Sequence, residues 1–137
     1  MKRPFQTMAI LLARFGLAAG YLGSVTDRFG AWGKAGTPGI VWGDFQHFIA
    51  RIEANPLVPH GAAPIVAWLV TVLESGLGLS LLVGLRARTM GCVSGCLLLV
   101  IAVAMAASPM GIHALLLSGV LSAAGASMLL ATRADEI

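Results

Sequence analysis

The chain has 137 residues, of which 58% are hydrophobic and 11% are charged, and its formal net charge is +3. Ordinary soluble domains carry about a quarter charged residues, so this chain has too few charges to cover the surface of a water-soluble globule. The nine Lys and Arg residues form no cluster or stripe, which excludes nucleic acid as the implied partner. The composition instead implies a lipid bilayer.

The first apolar segment predicts a spanning helix over about residues 8–26. Gly16, Gly20 and Ser24 recur in it at four-residue spacing, the pattern of small residues that lets helices approach closely in lipid. Arg14 interrupts the apolar stretch, and no convincing cleavage site follows it before residue 27. These features favour an uncleaved span over a signal peptide, because a charge within a span is tolerated where the bundle supplies a partner.

The segment from Asp27 to Gly61 is long and rich in aromatic residues, which is not typical of a solvated linker. Within it, apolar residues recur at the i, i+3, i+4, i+7 spacing of one helix face, at Phe45, Phe48, Ile49 and Ile52. This spacing predicts an amphipathic helix over about residues 43–54. The helix lies either in the membrane interface or packed over the bundle, and the sequence does not distinguish the two.

Three further spans are predicted, over about residues 62–85, 89–107 and 112–131. The last two fall in a run of 44 residues, Thr89 to Thr132, that contains no Asp, Glu, Lys or Arg, whereas one span needs about 20 apolar residues. Each of the three carries small residues that predict a packing face: Gly76, Ser80 and Gly84; Gly91 and Gly95; Ser118, Ser122 and Ala126. The predicted fold is therefore all-α, a four-helix transmembrane bundle forming a single membrane domain over residues 1–137.

Basic residues near the predicted helix ends indicate the orientation. With four spans, five of them fall on one side of the membrane: Lys2, Arg3, Arg86, Arg88 and Arg133. The short turn near Pro109, on the other side, has none. We therefore expect both termini in the cytoplasm, and the long first loop outside.

Arg14 and Glu74 are the ionisable residues within the predicted spans that most need a partner, since each costs roughly 2.5 to 3.5 kcal/mol at mid-membrane. Depths counted from the predicted helix ends bring the two within reach of each other. We therefore expect an intramembrane polar pair. Two interpretations stay open: a site that binds a proton, an anion or the head group of a quinone, or a buried ion pair that fixes how the helices pack.

Other candidate chemistry is sparse. Cys92 and Cys96 lie four residues apart on one predicted helix, a spacing unsuited to a disulfide, so we interpret them as small packing residues. Asp27, Arg28 and His113 are all expected near the outer face and form a second candidate site. The histidine spacing matches no metal motif, so no metal site is predicted.

Three groups of residues also match a known type of membrane protein. They are Leu11-Leu12-Ala13-Arg14 followed by Gly16 and Gly20, then Ala67-Trp68-Leu69 leading to Glu74, Gly78 and Gly84, and then the basic turn Leu85-Arg86-Ala87-Arg88. On these residues the sequence resembles a DoxX-type membrane protein of the DoxX/DoxD superfamily over nearly its whole length. The resemblance implies a four-span bundle in the bacterial inner membrane that associates with redox enzymes; DoxD is a subunit of a thiosulfate-to-quinone oxidoreductase.

The leading functional hypothesis is thus an accessory subunit of a membrane-associated redox system, whose partners are membrane or peripheral redox proteins. A quinone-linked oxidoreductase in its own right is the first alternative, and a small four-span transporter is the second. No cofactor motif is present, so no cofactor is predicted, and a quinone is the one candidate kept. Whether the chain is an enzyme is left open.

Overall fold

The computed structural model describes residues 2–133 of the chain, and all the regular secondary structure within that range is helical. Its elements are α1 (Lys2–Arg28), α2 (Phe45–Glu53), α3 (Ala63–Val83), α4 (Ala87–Ala107), α5 (Gly111–Ser118) and α6 (Val120–Arg133). Three helices, α1, α3 and α4, are long and apolar enough to span a membrane. The pair α5–α6, bent by 49°, supplies a fourth span if it is counted as one. The prediction of an all-helical membrane bundle is confirmed.

The helices expose most of their apolar surface, as a bundle in lipid does. In the most apolar part of α1, α3 and α4, only 22%, 33% and 28% of the residues are buried inside the protein. Large side chains such as Val83, Val100 and Leu117 are 79%, 66% and 75% exposed. In water this surface would drive aggregation, whereas in a bilayer it is the surface that contacts the acyl chains.

The core of the bundle is built from one buried face of each long helix. Its largest members come from all four spans: Ile10, Leu17, Tyr21, Leu77, Leu81, Leu98 and Leu130. The antiparallel pairs α1–α3 and α4–α6 pack most closely. The two ends of the bundle therefore differ: α2 lies at the end where α1 stops and α3 begins, which we call the α2 end. The turn between α3 and α4, at Gly84, lies at the other, which we call the Gly84 end.

Two helix bounds differ from prediction in ways that matter. Helix α1 begins at Lys2 rather than near residue 8 and continues to Arg28, so it extends well past α3 at the Gly84 end. The predicted last span is broken at Gly119, whose φ of 71° is a left-handed conformation that favours glycine. Ser118 closes the break, because its hydroxyl donates to the Leu115 carbonyl and accepts from the Val120 amide.

The predicted packing faces of small residues are correct for α4 and only partly correct elsewhere. A Cβ at Gly91 would lie 3.0 Å from the backbone of both Ser127 and Ala131, so the glycine permits the close approach of α4 and α6. A Cβ at Gly16, Gly20 or Gly76 would meet no atom within 4 Å. Those three glycines therefore do not mediate contacts within the chain.

Replacing Gly91 by Ala should thus destabilise the bundle, since the new methyl group would press on backbone that cannot rotate away. We expect a loss of about 1 to 3 kcal/mol, the range typical of overpacked sites. Gly125→Ala is the matched control, because a Cβ there meets no atom within 4 Å. Thermal unfolding in mild detergent measures both, and equal melting temperatures for the two variants would contradict the packing role of Gly91.

Candidate functional site

A buried ion pair joins α1 to α3 near the α2 end. The Nη2 atom of Arg28 lies 2.5 Å from Oε2 of Glu74, and the two side chains are only 3% and 6% exposed. Arg28 also donates from Nη1 to the Thr71 hydroxyl at 3.0 Å and from Nη2 to the Ser24 hydroxyl at 3.2 Å. The last residue of α1 is thus bonded to the middle of α3, and the Thr71 and Ser24 hydroxyls accept hydrogen bonds from the same guanidinium.

The pair that the sequence predicted, Arg14 with Glu74, is wrong in its arginine. In the structure α1 and α3 are aligned so that Gly78 contacts Tyr21 and Leu22, while the Arg14 guanidinium lies against Gly84. Gly84 is ten residues from Glu74, a distance of about 15 Å along a helix. Depths measured from the predicted helix ends give the wrong partner because α1 extends 12 residues before Arg14 and α3 ends at Val83.

An aromatic cap covers the ion pair on the side of α2. The ring of Phe48 lies 3.8 Å from Cζ of Arg28, a cation–π contact within a dry environment. The cap comprises five rings, each in contact with at least one other: Phe29, Trp42, Phe45, Phe48 and Trp68.

Trp42 joins this cap through its contact with Phe48. Its ring meets the Phe48 ring edge-on, with the centroids 4.9 Å apart. Phe45 in turn packs against Trp68 of α3, with the centroids 4.6 Å apart. The cap therefore links the loop, α2 and α3 over the buried guanidinium.

Asp27 fixes the loop that carries the cap. Its Oδ2 atom accepts hydrogen bonds from the backbone amides of Val41 and Trp42, each at 3.0 Å. The side chain of Asp44 caps the N-terminus of α2 in a similar way, by accepting a hydrogen bond from the backbone amide of His47 at 2.8 Å. This bond, with a second one from the His47 ring, lowers the pKa of the Asp44 carboxyl below its usual value. Both carboxylates serve to position backbone.

A second polar group crosses the core between three helices. The Tyr21 hydroxyl lies 2.6 Å from the Ser94 hydroxyl, which lies 2.9 Å from the hydroxyl of Ser127. All three residues are buried, and both serines are fully so. Each hydroxyl can donate one bond and accept another, so the chain is satisfied internally and ties α1, α4 and α6 together.

The second predicted site, Asp27 with Arg28 and His113, is brought together only in part. Asp27 and Arg28 are both buried at the end of α1, where they serve the loop and the ion pair. His113 is an exposed residue of α5, and no hydrogen bond or ion pair joins it to either of them within the described part of the chain. Residues 2–133 also contain no group of three or more His, Cys, Asp or Glu side chains that could hold a metal ion.

The two cysteines do not have the packing role that the sequence suggested. Cys92 and Cys96 are free thiols, and both are exposed on the outer surface of α4. The α4 residues that face the core are the neighbouring ones, among them Gly91, Ser94 and Gly95. The thiols therefore point away from both polar groups of the bundle.

The sequence did not predict the roles of four residues of the site. Ser24 and Phe48 contact Arg28, and Ser94 and Ser127 form part of the hydroxyl chain. The four-residue spacing of Ser24 and Arg28 was a usable signal, because it places both on one face of α1. The Ser94–Ser127 contact had no such signal, since the alignment of α4 with α6 depends on the break at Gly119.

The family comparison decides which proteins this chain is related to. A family model described as methylamine utilisation protein MauE matches residues 6–113. The chain belongs to the MauE family. The resemblance to DoxX-type proteins is therefore wrong, since its motifs, an arginine in the first span and a glutamate in the second, do not distinguish two families of small apolar bundles. No curated protein and no solved structure matches the chain.

The ion pair generates a direct test. Arg28→Leu or Glu74→Leu alone strands a buried charge and should cost about 3 to 5 kcal/mol, whereas the double variant strands none and should cost less than the sum. Arg14→Leu combined with Glu74→Leu is the matched control, whose losses should add because the two residues are far apart. Melting temperatures in mild detergent measure the two double variants and the three single ones, Arg28→Leu, Glu74→Leu and Arg14→Leu. Additive losses for Arg28 and Glu74 would contradict their coupling.

Proposed function

We propose that this MauE-family chain is an accessory membrane protein of a redox system for methylamine utilisation. The observation that carries the proposal is the family match over residues 6–113, whose description names methylamine utilisation. The polar groups of the bundle support an accessory role, because their bonds hold the helices together. Arg28 pairs with Glu74, and the three hydroxyls of the hydroxyl chain bond to one another. Its partners in this proposal are membrane or peripheral redox proteins.

The proposal includes a location, the bacterial inner membrane with both termini in the cytoplasm. The distribution of basic residues supports it, since Arg86, Arg88 and Arg133 all lie at the Gly84 end, and cytoplasmic ends carry an excess of Lys and Arg. Lys34 and Arg51 lie at the α2 end, accompanied there by Asp44 and Glu53.

Growth of the source bacterium tests the function. Deleting the gene should abolish growth on methylamine while leaving growth on ammonium and succinate unchanged, and the wild-type gene should restore it. The Cys92→Ser, Cys96→Ser double variant should restore it equally well, because both thiols face away from the polar groups. Unimpaired growth of the deletion strain would contradict the proposal. Failure of a folded, inserted double variant would favour a thiol-based oxidoreductase instead.

Reporter fusions test the orientation. A cytoplasmic reporter fused after residue 137 should be active, and a periplasmic reporter inserted next to Lys34 should also be active, since α6 ends at the Gly84 end with Arg133 while Lys34 lies at the α2 end. Exchanging the reporters provides the control, because both should then be silent. An active periplasmic reporter at the C-terminus would overturn the orientation and leave the fold untouched.

A further inference from the structure

Arg14 is a cation without an anionic partner among the described residues. It is the one Lys, Arg, Asp or Glu residue between Pro4 and Thr26, inside a helix that spans the membrane. Glu74 is paired with Arg28 instead, and no ion pair within residues 2–133 includes Arg14. A permanent guanidinium charge in such a position calls for a counter-charge, because leaving it unpaired near hydrocarbon is costly.

The contacts that Arg14 does make are weak and electrically neutral. Nη2 donates to the Leu82 carbonyl at 3.4 Å, a long hydrogen bond, and Cζ lies 5.2 Å from the centroid of the Phe15 ring. The Nε atom is buried and has no hydrogen-bond partner in the described chain. The guanidinium thus keeps donor capacity that these groups do not use.

The protein holds this guanidinium in a defined place. Gly84 ends α3 with a φ of 83°, and a Cβ there would lie 2.8 to 3.0 Å from Nη1, Cζ and Nη2 of Arg14. The guanidinium therefore lies directly against the glycine, in a space that any side chain would fill. Arg86, two residues further along the same turn, is exposed and adds a second cation near the Gly84 end.

We infer that Arg14, seated on Gly84 beside the Arg86 turn, is a binding site for a phosphate group, supplied by an anionic phospholipid of the leaflet at this end. At the Gly84 end α3 stops at Val83 and α4 begins at Ala87, so these two spans reach the membrane surface there, where lipid phosphates lie. A guanidinium recognises phosphate through forked, charge-assisted hydrogen bonds, and basic sites between spanning helices bind lipid head groups in this way. The inference depends on neither the proposed function nor the orientation.

Native mass spectrometry in mild detergent tests the inference with three ligands: phosphatidylglycerol, phosphatidylcholine and inorganic phosphate. The wild-type chain should bind phosphatidylglycerol more tightly than phosphatidylcholine. Arg14→Gln should weaken binding of phosphatidylglycerol about fivefold, the effect of one basic residue near the membrane surface. Lys34→Gln, which removes the same charge from an exposed site at the other end, should leave binding unchanged. If Arg14→Gln does not fold, Arg14→Lys replaces it and should also weaken binding, because an ammonium cannot donate the forked bonds.

Three outcomes would overturn the inference. Equal binding of phosphatidylglycerol by wild type and the Arg14 variant would remove the site. Tight binding of inorganic phosphate that displaces the lipid would exclude the lipid as the source of the phosphate. Finally, the double change Asp135→Asn, Glu136→Gln is tested with and without Arg14→Gln. If it tightens lipid binding only when Arg14 is present, the chain's own C-terminal carboxylates occupy the site.

Discussion

The buried contact between Arg28 and Glu74 is the constraint on which the arrangement of the first two spans depends. Two charges enclosed by protein cannot be separated without stranding each in a medium of low dielectric constant, so the pair sets the alignment of α1 against α3. That alignment brings Gly78 against Tyr21 and Leu22 and places Arg14 beside Gly84. It also brings the start of the long loop close to the first residues of α3, at the α2 end, where the aromatic cap covers the Arg28 guanidinium.

The hydroxyl chain complements the ion pair by acting across the other helices. Tyr21 belongs to the same helix as Arg28, yet its hydroxyl reaches Ser94 and, through it, Ser127. Helix α1 is thereby joined to α3 by charge and to α4 and α6 by neutral hydrogen bonds. In lipid, where apolar surfaces gain little by leaving the solvent, such polar contacts and close packing are what select one arrangement of the helices.

The sequence predicted the class of fold because the signal was large: a run of 44 residues without charge admits few alternatives to spanning helices. It also identified Glu74 as a buried acid in need of a cation. It could not identify Arg28 rather than Arg14 as the partner of Glu74. Hydropathy shows where a helix crosses lipid, but it does not determine the exact helix ends or the axial alignment of one helix against its neighbour. Phe48 was recognised as part of an amphipathic face, but its contact with Arg28 depends on where a 16-residue loop places α2, which spacing alone does not specify.

The break at Gly119 has an electrostatic consequence. The carboxyl end of α5 carries a partial negative charge, the amino end of α6 carries a partial positive one, and the two ends follow each other directly along the chain. Their partial charges therefore offset each other locally, while Ser118 bonds to a carbonyl on one side and an amide on the other. A bend that would be costly as two free helix ends in hydrocarbon is thus self-compensated, and residues 111–133 can enter the bilayer as one continuous apolar segment.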